Sequence, residues 1–516
     1  MELAPLPMKP ENRPYLTICL LALGCLVGYG LTGYFGIRSP DSEVVFRTAR
    51  SLVEEGDLAL EADGLPWKGF GTSRGVDGKV YSVFGPLQPL ASVPLVYLAS
   101  RMAPHGGGPG GVSHYVGGGL SAFVGGRPPQ LPAEHRLRSW TAVFNVVVTT
   151  LLVLTFFLLT LRLTGSNAAS FLSSALFGFG TLVWPYSGTF FSEPLAMLFL
   201  TLSFLLLIGP GAGLPGWMML LSGLSLGLSV TAHLSAILFV PFVGAYVLIG
   251  ERSHRFRDLL SWATGLGIPL ILLGWQNTAH FGSMLETGRG VGEWQYAHWV
   301  SPGAGLFGLL LSWGKGLVWL SPAIVLGLVF YRKLVRAAPL FALLMLGSVV
   351  FRLLFLASRS DWHGGFCLGP RYMLLALPVF LLPTGLAFRD QIAGRHLRSF
   401  VATATVVVLC ICQQLYFSLG EIFSFLHLGK LDVMIARRPE EALYFDFAYS
   451  PLVRLLEDRA GPMVLQGYPG SLYALWSVLA LLLAGGLCVL FVWAWRGGRY
   501  SEGTPLYEQH RTRILQ

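Results

Sequence analysis

The strongest constraint on this chain is a series of unbroken apolar runs, 17 to 24 residues long, that recurs over most of its length. Each run is long enough to cross a hydrocarbon layer of roughly 30 Å as a helix. Within such a layer, only helices and closed barrels satisfy their own backbone hydrogen bonds. The runs are continuous and do not alternate apolar with polar residues, which excludes a membrane β-barrel. Composition agrees: 53% of the 516 residues are hydrophobic and 12% are charged, against about 25% charged in a soluble domain. Mean hydropathy is +0.60. The fold class is therefore all-α and polytopic. Spans are expected near 15–35, 139–161, 166–185, 190–208, 216–231, 234–250, 259–276, 316–331, 338–357, 372–388, 399–418 and 471–495, about 12 transmembrane helices. The run 216–250 is too long for one crossing and is divided at Thr231-Ala232-His233. The first run carries no small-residue cleavage site and is read as retained.

Basic residues orient these spans. Twelve crossings put both termini on one side, together with Lys9, Arg13, Arg162, Arg252, Arg255, Arg257, Arg332, Lys333, Arg336, Arg389, Arg395, Arg398, Arg496, Arg499, Arg511 and Arg513. The short loops opposite hold only Arg289, Lys315, Arg359 and Arg371. Lys and Arg in short loops mark the cytoplasmic side, so both termini are read as cytoplasmic and 36–137, 277–315, 358–371 and 419–470 as external. The net charge of +9 follows from residues flanking spans and facing anionic lipid. It carries no nucleic-acid motif. Residues 87–103 are apolar but short and contain Pro89 and Pro94. They are read, like 305–315, as a juxtamembrane or re-entrant helix. The Gly-rich stretch 103–130 is a flexible insertion. The chain thus divides into a transmembrane module 1–418 with a long external loop 36–137, an external cap 419–470, and a last helix with a cytoplasmic tail, 471–516. Of six cysteines, only Cys367 falls in a polar loop. It is expected to be an exposed thiol without a partner, and no disulfide or zinc spacing is present.

The polar residues that stand out lie at the outer ends of spans. Pro40-Asp41-Ser42-Glu43 follows the first run directly. Asp41 and Glu43 are read in two ways: as solvated carboxylates capping a helix that begins near Val44, or as a base together with a possible shared divalent cation. Glu193 follows Tyr186-Ser187-Gly188-Thr189-Phe190-Phe191-Ser192 at the start of a span, where the helix dipole alone would favour an acid. Arg352 lies inside an apolar run, and an intramembrane charge is a functional hypothesis by default.

Asp41-Ser42-Glu43, the stretch Val45 to Leu58, Phe84-Gly85-Pro86, Phe281-Gly282-Ser283, Trp362-His363-Gly364-Gly365 and Gly369-Pro370-Arg371-Tyr372 together, in this order, resemble the GT-C superfamily of membrane glycosyltransferases. The branch it is close to is that of protein O-mannosyltransferases and lipid A aminoarabinose transferases. Many relatives carry adjacent Asp-Glu, whereas this chain has Asp-Ser-Glu, which bears on Glu43 and not on Asp41. The resemblance implies a cell-envelope enzyme of the bacterial inner membrane. It would be an inverting hexosyl- or pentosyltransferase that takes a sugar from a polyprenyl-phosphate donor, with Asp41 and Glu43 as the catalytic acids and Asp41 as the base. The acceptor hydroxyl would belong to a glycan, lipid or protein. The donor phosphate needs cationic donors. Arg371 is the first candidate, followed by Arg352, Lys79 and Lys315. Glu193, His280, Asp361 and His363 are candidates for contacts with sugar or acceptor. No cofactor is demanded, and metal dependence stays open. The competing class is a transporter or flippase of polyprenyl-linked glycans, which would place charges at mid-bilayer in two related halves. Here the halves do not match.

Overall fold

The computed structural model of the protein describes residues 14–33, 37, 39–60, 69–102, 132–208, 215–250, 254–290, 298–365, 367–394, 396–420 and 422–457. The expected crossing 471–495, the Gly-rich stretch 103–130 and the N-terminal basic residues lie outside the described residues.

The described residues form a bundle of helices with one small sheet. The first helix, α1 (Tyr15–Thr32), precedes α2 (Pro40–Glu54). The expected start near Val44 is moved forward, because Ser39 Oγ accepts a hydrogen bond from Ser42 N at 3.1 Å and Pro40 occupies the first turn. Both are favoured at a helix start. Strands β1 (Ala59–Leu60), β2 (Thr72–Arg74) and β3 (Val80–Ser82) form an antiparallel sheet of order β1-β3-β2, with Tyr81 opposite Ala59 and Ser73. The sequence reading had no strand here, since segments this short carry no readable alternation. Helix α3 (Leu87–Met102) holds Pro94 within it and packs on α2 and on α4 (Pro132–Thr164).

Four expected spans are interrupted. The span 166–185 becomes α5 (Asn167–Phe179) and α6 (Val183–Ser187), and α7 (Glu193–Leu207) follows an irregular stretch. The division of 216–250 falls at His233. Helix α8 (Gly216–Ala232) ends there, a 3₁₀ turn covers Leu234–Phe239, and α9 (Val240–Ile249) continues. After α10 (Arg255–Phe281) and α11 (Pro302–Leu311), the expected span 316–331 is three short pieces: α12 (Leu317–Leu320), α13 (Ala323–Val329) and α14 (Tyr331–Ala337). Pro322, between the first two, has no N–H to continue a helix. Then come α15 (Pro339–Ala357), a 3₁₀ turn Arg371–Ala376 and α16 (Leu377–Ala393). Both 3₁₀ turns run into a helix whose second residue is proline, Pro241 and Pro378. The described chain closes with α17 (Leu397–Leu419), α18 (Ile422–Ile435), α19 (Ala442–Phe445) and α20 (Pro451–Glu457).

Among the described residues, 6 helices are long and apolar enough to cross a membrane, and 4 shorter apolar helical stretches accompany them. Helices α8 and α10 run parallel at very close range. A Cβ on Gly223 would stand 1.9 Å from the Trp262 carbonyl oxygen, and one on Gly265 2.0 Å from that of Leu220. Small residues allow such an approach between membrane helices.

Helix direction separates two ends. Arg162 Nη1 reaches the carbonyls of Leu205 and Ile208, bringing together the C-terminal ends of α4 and α7. Arg255, Arg257, Lys333 and Arg389 belong to that same end by chain polarity. The opposite end carries Asp41, Glu193, His233 and Arg371. The sheet also docks there, through Val76 N donating to the His280 carbonyl at 2.8 Å.

Candidate active site

Asp41 stands in the first turn of α2, and Arg371 opens the second 3₁₀ turn. Arg371 Nη1 lies 2.5 Å from Asp41 Oδ2, and both side chains are largely covered. The loop before Arg371 turns through Gly364, Gly365 and Gly369, at φ +72°, +74° and +63°. This left-handed backbone suits glycine. The guanidinium carbon of Arg371 sits 4.8 Å from the Phe191 ring centroid and 5.0 Å from that of Tyr372, distances at which a cation is attracted by an aromatic face.

Glu193, the first residue of α7, is 2% exposed. Its Oε1 lies 3.7 Å from Arg371 Nε and 3.5 Å from His233 Nε2. Its Oε2 and Arg371 Nε are buried with no hydrogen-bond partner among the described residues. The irregular stretch leading to Glu193 is held by two amides. Gln88 Nε2 donates to the Phe190 and Phe191 carbonyls at 2.9 and 3.2 Å, and Asn145 Nδ2 donates to Phe191 at 2.8 Å. Non-helical backbone at membrane depth needs such partners.

Glu43 does not share a site with Asp41. Two residues along a helix turn the side chain by about 200°, and Glu43 is wholly buried against Arg47 Nε at 2.8 Å and Arg138 Nη2 at 2.9 Å. A cation held jointly by Asp41 and Glu43 therefore does not fit this arrangement. Among the described residues, no group of 3 or more His, Cys, Asp and Glu side chains could hold a metal.

The remaining candidates are placed as follows. Arg352 is wholly buried, but its donors are committed: Nε to the Tyr372 carbonyl at 2.8 Å, Nη1 to the Ser235 carbonyl at 2.6 Å and Nη2 to Ser235 Oγ at 2.9 Å. It braces the two 3₁₀ turns from behind the site. Lys315 is 2% exposed and donates to the carbonyls of Gly365 and Cys367 at 2.8 and 2.7 Å. It thereby holds the loop that carries Arg371. Cys367, expected to be exposed, is instead 1% exposed, with its Sγ 3.3 Å from Lys315 Nζ. Lys79 pairs with Asp57 at 2.5 Å beside the sheet, and His280 stacks on Tyr81 at 3.8 Å. Asp361 is held by Arg359 at 2.9 and 3.0 Å. His363 accepts from Gly365 N at 3.0 Å and stacks on Tyr444 at 4.6 Å. Burial first, and Lys315 second, push its titration down to about 4, which leaves it an uncharged packing group at neutral pH. Thus Asp41, Arg371 and Glu193 come together, Lys79 and His280 make contacts beside the sheet, and Asp361 and His363 belong to the loop that carries Arg371.

His233, Gln88 and Asn145 were not singled out as site residues. The signal for the two amides was an isolated amide within or beside an apolar run. For His233 it was the break that the histidine itself occupies.

No family profile and no curated protein matches the chain. Among solved structures it is similar to ArnT from Cupriavidus metallidurans in the apo state, with a TM-score of 0.50 and 13% identity over 91% of this chain and 77% of that one. The crystal structure of the same protein bound to undecaprenyl phosphate gives a TM-score of 0.48 at 13% identity, with the same coverage. The likeness to the apo structure is one of fold: both are mostly α-helical, and the described residues of this chain hold 6 helices long and apolar enough to cross a membrane.

Proposed function

We propose that this chain is a membrane glycosyltransferase that moves a sugar from a polyprenyl-phosphate donor to an acceptor hydroxyl. The observation that carries the reading is the Asp41–Arg371 pair, 2.5 Å apart, at the end of the bundle away from the arginine-rich turns. Transfer needs a base for the incoming hydroxyl and a cation for the departing phosphate, and this pair supplies both within one short distance. Asp41 takes the acceptor proton as the acceptor oxygen bonds to the anomeric carbon. The bond from that carbon to the phosphate oxygen breaks with inversion, and the electron pair leaves on the phosphate. Arg371 has five N–H donors. With Nη1 on Asp41, Nε facing Glu193 and Nη2 donating to Tyr372 Oη at 3.4 Å, one further N–H on each terminal nitrogen is left for the phosphate. Helices around the pair would take the prenyl tail, and the site would face the outer side of a bacterial membrane.

The test is transfer from a panel of polyprenyl-phosphate sugars by the full chain in nanodiscs. Asp41→Asn should lower transfer by about 10²- to 10⁴-fold, the range of a lost general base, while binding of a polyprenyl phosphate persists. A variant that transfers sugar at the parental rate would defeat the assignment. A wild-type chain that moves the carrier across the bilayer without transferring sugar would favour a flippase.

A further inference from the structure

Behind the Asp41–Arg371 pair runs a line of side chains that the transfer steps do not use. It comprises Arg352, Ser235, His233 and Glu193. Arg352 Nη2 donates to Ser235 Oγ at 2.9 Å, and Ser235 Oγ lies 2.7 Å from His233 Nδ1. A guanidinium can only donate. Ser235 Oγ therefore accepts from Arg352, and its own proton is assigned to His233 Nδ1, the acceptor it faces at 2.7 Å. That places the imidazole proton on Nε2, the nitrogen 3.5 Å from Glu193 Oε1. The same carboxylate oxygen stands 3.7 Å from Arg371 Nε. Glu193 Oε1 thus faces N–H groups at 3.5 and 3.7 Å, while Oε2 has no hydrogen-bond partner among the described residues. The imidazole is also flanked by the Tyr372 ring, with centroids 5.9 Å apart.

A buried carboxylate takes whatever donors it can reach. If the His233 N–H is removed, the cationic side chain left within 4 Å of Glu193 is Arg371, with Nε at 3.7 Å. The guanidinium would then close on Glu193 and withdraw from Asp41 and from any anion before it. We infer that His233 is a positioning residue, whose N–H, oriented by Ser235 and Arg352, keeps Glu193 from capturing Arg371. The inference rests on reading Arg371 as the cation that meets a phosphate.

The experiment measures binding of farnesyl phosphate to the full chain in nanodiscs by calorimetry. His233→Ala should weaken binding about tenfold, the scale of one charge-assisted hydrogen bond. His233→Gln, whose amide N–H reaches the position of Nε2, should stay within about twofold of the parent. In a Glu193→Gln background, with no carboxylate to compete for Arg371, His233→Ala should change affinity by less than about twofold. Ser235→Ala leaves the ring in place but removes the hydroxyl that orients it. It should shift binding in the same direction, and its effect should also vanish in Glu193→Gln. Equal losses in His233→Ala and His233→Gln, or a tenfold loss that persists in Glu193→Gln, would overturn the inference and leave the transferase reading intact. A parent chain that binds no farnesyl phosphate would overturn both.

Discussion

Glu43 receives Arg47 and Arg138 on a side chain with no exposed surface, so removing its charge leaves two cations facing a neutral group. Breaking a buried pair in this way costs roughly 3–5 kcal/mol, and Glu43→Gln should lower stability by about that much at pH 7 in a nanodisc unfolding assay. Burial alone would raise the titration of Glu43, but Arg138 and then Arg47 reverse this and hold it below the ordinary carboxylate range. An acid depressed on folding adds stability above its ordinary range and loses it as pH falls through the depressed value. The deficit of Glu43→Gln should therefore shrink on acidification below about pH 4. A deficit that stays constant would show that Glu43 does not carry the pair. Asp41, Glu193 and Arg371 were legible at this scale because a charge beside an apolar run is conspicuous. Their grouping was not, since it depends on the first turns of α2, α7 and a 3₁₀ segment meeting across more than three hundred residues of sequence. Arg352, Lys79 and Lys315 were candidate cations ranked after Arg371, and only their partners in space show where their donors go.

The parallel contact of α8 with α10 is a close approach between helices, and α8 ends at the residue before His233. Gly265→Val would drive two methyl groups into the Leu220 carbonyl, which a Cβ alone would already meet at 2.0 Å. Overpacking of this kind costs about 1–3 kcal/mol or more. The variant should unfold at lower temperature and weaken farnesyl phosphate binding, whereas Gly303→Ala, where nothing lies within 4 Å of an added Cβ, should do neither. Parental behaviour of Gly265→Val would mean that the two helices do not touch there. Hydropathy found these elements because a membrane helix is one long apolar word. The interruptions at 180–182, 188–192, 233 and 321–322 were harder to read, apart from the break at His233, which span length alone required. At 188–192 the freed carbonyls of Phe190 and Phe191 accept from the amides of Gln88 and Asn145, partners far away in sequence.

For the whole molecule, the arginine-rich turns and the Asp41–Arg371 pair lie at opposite ends of the bundle, so locating one locates the other. If the basic end is cytoplasmic, a cysteine at exposed Glu55 should react with a membrane-impermeant maleimide in intact cells. A cysteine at exposed His396 should react only after permeabilisation. The reverse pattern would put the pair on the cytoplasmic side and exclude an external transferase. The polytopic class was written in the composition, and the fold likeness to the solved structure holds at only 13% identity. The small sheet was invisible because its two- and three-residue strands are shorter than any pattern. One half of the bundle is thus continuous ladder, while the other is a mosaic of carbonyls tied down by Gln88, Asn145, Lys315 and Arg352. On warming, the mosaic should slacken while the ladders persist, so that such a protein falls silent well before it loses its helices.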